Sequence, residues 1–377
     1  MSTLVRAACL TNYADVARHA GLDPTRQLLD AGLDPAVLRD PDLLIPTSRV
    51  RQLLEASASR SGVEGFGLRM AQSRQLSNLG PVGLLVRDQP TLRASIGVLI
   101  RYHAGMNGAL AMLMEEQGEL VLIREELIAM RAEPVRQSIE LALGVLLALM
   151  RQVLGPGWQP RRVCFTHAAP RQLGAHVQFF GPNVEFGHEF NGIVCLAREL
   201  DTANPSADPL MTRYAQRLLD ATPAAGTAAQ AGAIDDVRRT ILLLLPSGRC
   251  TIEQVSSHLG LVCRTVQRRL SEHGTSFSGL VNELRMELAQ RHITQGRRPL
   301  TDVALLLGFS ALSGFSRWYQ QQFGTSPSQA RAAAQARAGA AAADDAVPIV
   351  PTGGCSSTPD IADEPAAPDL SRWRWSV

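Results

Sequence analysis

The sequence contains no lysine, since all 37 of its basic residues are arginine. Codon bias in a GC-rich genome and selection for bidentate contacts would both produce this, and codon bias is the simpler explanation. The formal net charge of 377 residues is only +2, which by itself excludes no class of partner. Any basic surface must therefore be found from the distribution of charge along the chain.

Long apolar runs and paired cysteines are also missing. The longest apolar run, LALGVLLALM at 141–150, is shorter than the 18 or more residues of a membrane span. The amino terminus lacks the basic and then apolar pattern of a signal peptide. None of the six cysteines is paired as C-x-x-C, which predicts reduced and mostly buried thiols. We therefore expect a cytoplasmic protein that does not contact a membrane.

Catalytic and cofactor motifs are absent from the sequence. It has no G-x-S-x-G elbow, no phosphate-binding loop and no paired-carboxylate motif, so we predict no enzyme activity and no cofactor. Cys164 and His167 have the spacing of zinc ligands, but on a predicted strand their side chains project to opposite faces. With His176, His188 and Glu189 as the other candidates, we expect no metal site.

Two helical hairpins stand out in the second half of the chain. The first, at 250–275, begins with Thr251 and Gln254, a capping-box pair. The second, at 299–331, has Thr301 as its expected cap and Gly308 as its turn residue. Each hairpin has apolar residues on one helical face and polar residues on the other. Each hairpin is therefore predicted to be a helix-turn-helix unit.

The segment between the hairpins, Phe277 to Gln295, is apolar at helical spacing and predicts a helix roughly 27 Å long. Such a linker can hold two recognition helices about one DNA turn apart, roughly 34 Å. From Asp235 to Arg331 the chain has 12 arginines and 7 acidic residues, a local charge of +5. A basic module with two such units predicts DNA binding.

Residues 235–331 resemble the DNA-binding domain of AraC/XylS-type transcription regulators. The resemblance is carried by RTVQRRL at 264–270, LLLGFS at 305–310, FSRWY at 315–319 and GTSP at 324–327. Val262 departs from it, because family members usually have a Ser or Asn cap there. The resemblance implies that DNA is contacted by two helix faces, whose residues are Arg264, Thr265, Gln267, Arg268, Leu312, Ser313, Ser316 and Arg317. Arg and Gln can read guanine and adenine in the major groove.

The first 200 residues predict an α+β domain. Short helices fill residues 3–75, two of them starting at Asp-Pro in the repeated GLDP at 21–24 and 32–35. A hairpin of strands is expected at 109–127, a long helix over Arg136–Leu154, a strand at 161–169, a short helix at 170–175 and two more strands over 177–200. Motifs such as LGPVGLLV and VCFTHAAP resemble the arabinose-binding-like sensing domain of some AraC-type regulators.

The predicted organisation is a ligand-sensing and dimerisation domain at 1–203, a helix and flexible linker at 204–233, an all-α DNA-binding domain at 234–331 and a disordered Ala- and Pro-rich tail at 332–377. The flexible part is TPAAGTAAQAG at 222–232, and the Ala-rich part of the tail, 332–343, is expected to extend the last helix.

Together these features predict a sequence-specific transcription regulator, expected to be an activator. Its partners would be promoter DNA, RNA polymerase, a small-molecule effector and a second copy of the chain, while the residues of the effector site are unknown from sequence. Two alternatives stay open. One is an enzyme or DNA-repair protein fused to a DNA-binding domain, and the other is a regulator whose first domain only dimerises.

Overall fold

The amino-terminal part of the chain is a small helical layer on a two-stranded sheet. The computed structural model describes residues 3–127, 134–221, 223–248, 250–259, 261–295 and 298–344. The elements of this layer are β1 (Leu4–Arg6), α1 (Tyr13–His19), α2 (Pro24–Asp30), β2 (Leu44–Pro46), α3 (Thr47–Ser61) and α4 (Phe66–Gln72). The helices predicted here are confirmed, and Asp23 and Asp34 accept hydrogen bonds from the backbone N–H groups of Thr25 and Ala36 as N-caps. The antiparallel β1–β2 pair has only three residues in each strand. That is too few for an alternating apolar and polar pattern to predict the strands.

The second layer contains a five-stranded mixed sheet. Its elements are α5 (Pro81–Arg87), α6 (Leu92–Met106), β3 (Leu110–Gln117), β4 (Leu120–Leu127), α7 (Arg136–Leu154), β5 (Arg162–Cys164), α8 (Gly174–Phe180), β6 (Val184–Glu185), β7 (Gly192–Leu196) and α9 (Ala197–Leu200). The strand order is β3-β4-β7-β5-β6, and only the β5–β6 pair is parallel. The predicted hairpin and long helix are confirmed, and the α+β class holds for this domain.

One prediction in this layer is wrong. The run VQFF at 177–180 belongs to α8, whereas the sequence predicts a short helix at 170–175 and a strand after it. His176 and Phe180, one helical turn apart, are the buried residues of α8. Short apolar runs fit either a strand or a buried helix turn, so periodicity alone does not separate the two.

Helix α7 connects the two layers. Leu143 and Leu147 pack into the cluster around the sheet, while Leu141 packs against the helical layer. By length and composition α7 could also span a membrane, with 56% of its most apolar window buried inside the protein. A buried core helix passes the same test, so this observation is weak evidence for a membrane.

The remainder of the described chain is helical. Its elements are α10 (Pro209–Ala221), α11 (Pro223–Leu244), α12 (Ile252–His258), α13 (Cys263–Glu272), α14 (Phe277–Gln295), α15 (Leu300–Leu306), α16 (Leu312–Phe323) and α17 (Pro327–Asp344). The flexible linker predicted at 222–232 is wrong from Pro223 onward, where α11 runs without a break to Leu244. Alanine has the highest helix propensity, and the Ala-rich composition there outweighs the two glycines. The expected extension of the last helix is confirmed, and the rest of the tail, 345–377, lies outside the described residues.

Gly308 turns the chain between α15 and α16 with a φ of +73°. A Cβ added there would lie 2.9 Å from the backbone oxygen of Leu245. Gly324, just after α16, has a φ of +72° but open space around the same position. A side chain at either glycine would therefore be strained by the left-handed backbone, but only at Gly308 would it also collide with a neighbouring residue.

We predict that Gly308→Ala lowers the free energy of unfolding more than Gly324→Ala does. Gly324→Ala should cost about 1–2 kcal/mol, because a Cβ is unfavourable in left-handed backbone. Gly308→Ala should add the cost of moving Leu245 and its helix end away. Urea unfolding of both variants measures the difference, and equal losses would contradict the packing role of Gly308.

Candidate nucleic-acid interface

The first helix-turn-helix unit is formed by α12 and α13. Val266 and Leu270 are fully buried beneath α13, at positions four residues apart. Arg264, Gln267 and Arg268 lie on the opposite, exposed face of the same helix. Thr265 and Arg269 are half-buried beside this face. The structure therefore places three of the four predicted contact residues of α13 fully in solvent, with Thr265 at the edge.

The second unit is formed by α15 and α16. Phe315 and Tyr319 are buried under α16, where they contact a ring cluster that also contains Phe309, Trp318 and Phe323. The outward residues of α16 are Leu312, Ser313 and Arg317, which are exposed, and Ser316, which is half-buried. Aromatic packing thus orients α16 so that its predicted contact residues face away from the core.

Helix α14 holds the two units together. Leu280 and Leu284 belong to the cluster beneath the first unit, and Ala289 and Ile293 belong to the cluster beneath the second. Arg285 Nε donates to the backbone oxygen of Leu307 at 2.9 Å, at the turn of the second unit. These contacts fix the spacing of α13 and α16 through one rigid helix.

Two polar contacts reinforce this connection. Trp318 Nε1 on α16 donates to Asn282 Oδ1 on α14 at 2.7 Å. On the other side, Arg238 of α11 forms ion pairs of 2.9 Å with both Glu283 and Glu287 of α14. Helix α14 is therefore bonded to α16 and to the helix that leads into the DNA-binding part.

The helix caps differ from the sequence expectation. The Thr251 hydroxyl accepts from the Gln254 N–H at 3.4 Å, but among the described residues Gln254 Oε1 has no partner, so the second hydrogen bond of the capping box is not formed there. Thr301 is not a cap, because Pro299 occupies that position of α15. Val262 is the N-cap of α13 and makes no side-chain hydrogen bond. The start of the first recognition helix thus lacks a contribution of about 1 kcal/mol.

The charges on the two outward faces are unevenly compensated. Arg268 forms an exposed ion pair of 2.9 Å with Glu272, one helical turn further along α13. Exposed pairs of this kind contribute little to stability, so the guanidinium can exchange its partner for another anion. Within the described residues, Arg264 and Arg317 have no ion pair at all. One cation on each recognition helix is therefore available to a phosphate or a base edge.

The residues considered for a metal separate into two places. His167 Nε2 and His176 Nε2 lie 3.5 and 3.0 Å from the buried carboxylate of Glu140. Cys164 lies instead with Glu185 and His188, whose ligand atoms are within 4.8 Å of one another. Burial raises the pKa of the Cys164 thiol to about 12 and lowers the pKa of His188 to about 4. Cys164 and His167 thus approach different groups, but strand β5 ends at Cys164, so His167 lies outside it and strand alternation is not the reason.

The amino-terminal domain contains a cavity of about 180 Å³ between the helical layer and the sheet. Its lining is mostly apolar and comes from α3, α6, α7 and the β3–β4 hairpin. Ten polar or charged residues also line it: Arg6, Thr47, Arg51, Arg74, Gln75, Asn78, His103, Asn107, Glu125 and Ser138. Apolar walls with a few polar groups are typical of small-molecule sites.

Sequence reasoning left these cavity residues unidentified, although one signal was present. In ELVLIREEL the inward positions of an alternating strand are Val121, Ile123, Glu125 and Leu127, and a Glu in such a series stands out. The structure confirms that Val121, Ile123 and Leu127 belong to the core cluster beside the sheet.

The sensing domain contacts the DNA-binding part through backbone oxygens. Arg239 Nη1 on α11 donates to the Gly108 oxygen at 3.0 Å, and Arg298 Nη2 donates to the Thr166 oxygen at 2.8 Å. Ala111 and Leu113 of β3 belong to the same apolar cluster as α11 and α14. The two parts are thus packed together away from the exposed faces of α13 and α16.

Two helix-turn-helix units on one rigid helix, each with an exposed arginine, define a DNA-binding protein. The model of the arabinose-binding domain of AraC transcription regulators matches residues 21–204, and a helix-turn-helix domain model matches residues 255–333. The chain belongs to the AraC-type transcription regulators, with an amino-terminal ligand-binding domain of that family.

Curated relatives agree with this assignment. The chain is 28% identical over 334 residues to the HTH-type transcriptional regulator VirS of Mycobacterium tuberculosis, covering 88% of this chain and 97% of the relative. It is 27% identical over 340 residues to the ornithine utilization regulator of Pseudomonas aeruginosa, with the same coverage of 88% and 97%. The crystal structure of the regulator CdpR from Pseudomonas aeruginosa matches with a TM-score of 0.40 at 18% identity, over 81% of this chain and 96% of that one. The relatives are transcription regulators rather than enzymes.

Proposed function

We propose that α13 and α16 read two successive major-groove segments of a promoter. The observation that carries this proposal is the exposed, uncompensated guanidinium on each recognition helix, held at fixed spacing by α14. Arg264, Gln267 and Arg268 would contact base edges, with Thr265 beside them. On α16, Arg317 would be the polar reader, while Leu312, Ser313 and Ser316 would make apolar and phosphate contacts.

The cavity is proposed to be the effector site. Its volume is larger than the engineered cavity of about 150 Å³ that holds benzene, so a small metabolite fits it. A filled core would have favoured the alternative in which this domain only dimerises. Thus residues 1–203 would form the sensing domain, 204–233 a helical connection, 234–331 the reader and 332–377 a tail.

Binding is proposed to act through the contacts between the two parts. Strand β4 directs Glu125 toward the cavity and the next residue, Glu126, toward α14, where the Arg291 guanidinium opposes the effect of burial on the Glu126 pKa. Arg239 of α11 bonds Gly108, which follows the cavity residue Asn107. A ligand that shifts β4 or this turn would therefore change how the reader is held, which is a population shift between two arrangements. We propose activation, through contact with RNA polymerase in the cytoplasm.

A homodimer is proposed on the basis of helix α10. The α10 stripe, defined as Leu210, Tyr214 and Leu218, repeats every four residues and is 60%, 63% and 52% exposed. A row of large apolar side chains on one helix is a candidate interaction surface. Two copies of α10 packed antiparallel would place Tyr214 against its own copy.

The first of three predictions from these proposals concerns Arg268. Arg268→Ala should weaken binding to a promoter fragment by about 1–3 kcal/mol, because a bidentate base contact is lost. Arg269→Ala removes the same charge from the edge of the helix and serves as the matched control. Fluorescence anisotropy at fixed salt, on promoter and on random DNA, measures both variants. An equal loss on both DNAs would show that Arg268 contacts only phosphate.

The second prediction concerns the cavity. Metabolites that bind the intact chain should raise its melting temperature, because binding stabilises the folded state by mass action. Ala142 lines the cavity from α7, so Ala142→Phe should fill it and remove these shifts, whereas Ala142→Ser should keep them. A metabolite that shifts Ala142→Phe as much as the natural chain would place the effector site elsewhere.

The third prediction concerns assembly. Tyr214→Glu should convert a dimer into a monomer, because it places two carboxylates against each other at the centre of the α10 stripe. Gln52→Glu on the exposed surface of α3 is the control for added charge. Sedimentation equilibrium of the intact chain checks it, and an unchanged mass would rule out the α10 interface.

A further inference from the structure

Glu125 is a buried acid that lines the cavity, and its Oε2 has no hydrogen-bond partner among the described residues. Its side chain is only 2% exposed, and in the described part of the chain Oε2 makes no hydrogen bond. Carboxylates are almost never buried this far unless they are paired. An unmade hydrogen bond at a buried polar atom is costly, so a fold keeps one where a ligand completes it.

The neighbourhood of Glu125 is mostly apolar, with one polar side chain, Ser138, on α7. Glu125 pairs in register with Met112 of β3, which also lines the cavity. Across the cavity, Ser138, Leu141, Ala142 and Val145 of α7 share one helical face, and Ser138 Oγ is also buried without a hydrogen bond. A carboxyl and a hydroxyl without partners thus line one apolar space.

We infer that the effector presents a hydrogen-bond donor, a hydroxyl or an amine, to the Glu125 carboxyl, and that the rest of the molecule is apolar. This inference rests on the proposal that the cavity holds the effector. From the cavity volume, the molecule has about six to eight non-hydrogen atoms, comparable to or slightly larger than benzene.

The protonation of Glu125 fits such a ligand. Burial raises the pKa of the Glu125 carboxyl to about 8, so Glu125 is mostly a neutral acid at pH 7. A hydroxyl group can exchange hydrogen bonds with that acid and with Ser138. An ammonium group would bind the ionised form instead, and the carboxyl proton would leave to solvent. Either head group, the hydroxyl or the ammonium, would donate the hydrogen bond that Glu125 Oε2 lacks.

Arg6 and Arg74, two of the arginines that line the cavity, donate to groups other than Glu125, although Arg74 Nε has no hydrogen-bond partner among the described residues. Arg6 Nε donates to Asp42 at 3.2 Å, and Arg74 donates to the backbone oxygens of Ala8 and Cys9. Arg51 is buried on α3, and burial alone accounts for the pKa shift of Glu125. A carboxylate head placed against Glu125 would lie where no cation offsets the effect of burial on the Glu125 pKa, so a second anion at that point is unfavourable.

A matched series of probes tests the inference on the intact chain. Hexan-1-ol, hexylamine and sodium hexanoate share one apolar tail and differ only in the head group. Isothermal titration should show that at least one of the first two binds about tenfold or more tightly than hexanoate, as expected from one additional buried hydrogen bond. Hexanoate binding as tightly as both others, or no binding by any of the three, would overturn the inference.

Two variants of Glu125 assign the contact. Glu125→Leu should abolish the preference for the donor-headed probe and should raise the melting temperature of the free protein, since an unpaired carboxyl is removed. Glu125→Gln should keep hexan-1-ol binding and lose hexylamine binding, which identifies the head group. Glu119→Leu, in the exposed turn of the same hairpin, is the control. An unchanged preference in Glu125→Leu would overturn the inference.

The outcomes also separate this inference from the proposed function. If effector response survives Ala142→Phe, the cavity is not the effector site and the proposed function fails. If Ala142→Phe abolishes the response and Glu125→Leu leaves probe preference and response unchanged, the cavity is the site and only the role of Glu125 is wrong.

Discussion

Helix α14 is the constraint on which the DNA-binding part depends, because it is a member of two hydrophobic cores at once. Its first half packs Leu280 and Leu284 under one reader, and its second half packs Ile293 under the other. The shared helix therefore contributes to the core of both units and fixes the spacing between them. A change in the position of α14 therefore moves both recognition helices together.

In the proposed mechanism the same helix receives the signal, because strand β4 lies between it and the cavity. A strand directs successive side chains to opposite faces, so Glu125 and Glu126 connect the two sides without any long pathway. Burial raises the pKa of Glu126, and the opposing effects of Arg124 and Arg291 are smaller. Each face of β4 thus carries an acid whose pKa is raised by burial. A hydrogen bond added to Glu125 on one face is expected to change the contacts of Glu126 on the other. We propose that β4 acts in this way as a local electrostatic switch between the cavity and α14.

Sequence pattern predicted the elements wherever local chemistry decides them. The caps at Asp23 and Asp34 before proline, the hairpin at 109–127 and the long helix over Arg136–Leu154 were each confirmed. The pattern was wrong where it had no tertiary information: VQFF became a helix, and the Ala-rich segment after Pro223 became part of α11. The cavity could not be predicted, because it is formed by elements from Val5 to Leu146 that only the fold brings together. The eight DNA-contact residues stay a prediction, although six of them lie on the exposed surface and the other two are half-buried.

The two readers differ in a way that assigns them different tasks. The second is anchored by five aromatic rings and by the Trp318 bond to α14, yet its outward face begins with Leu312 and has a single arginine. Both recognition helices begin without a side-chain cap, at Val262 and at Ala311, but the first exposes Arg264, Gln267 and Arg268 together. A helix whose first turn is weakly capped can adjust when DNA supplies hydrogen bonds to its free N–H groups. Discrimination between base sequences is therefore expected mainly from α13, while α16 fixes the position of the protein on the duplex.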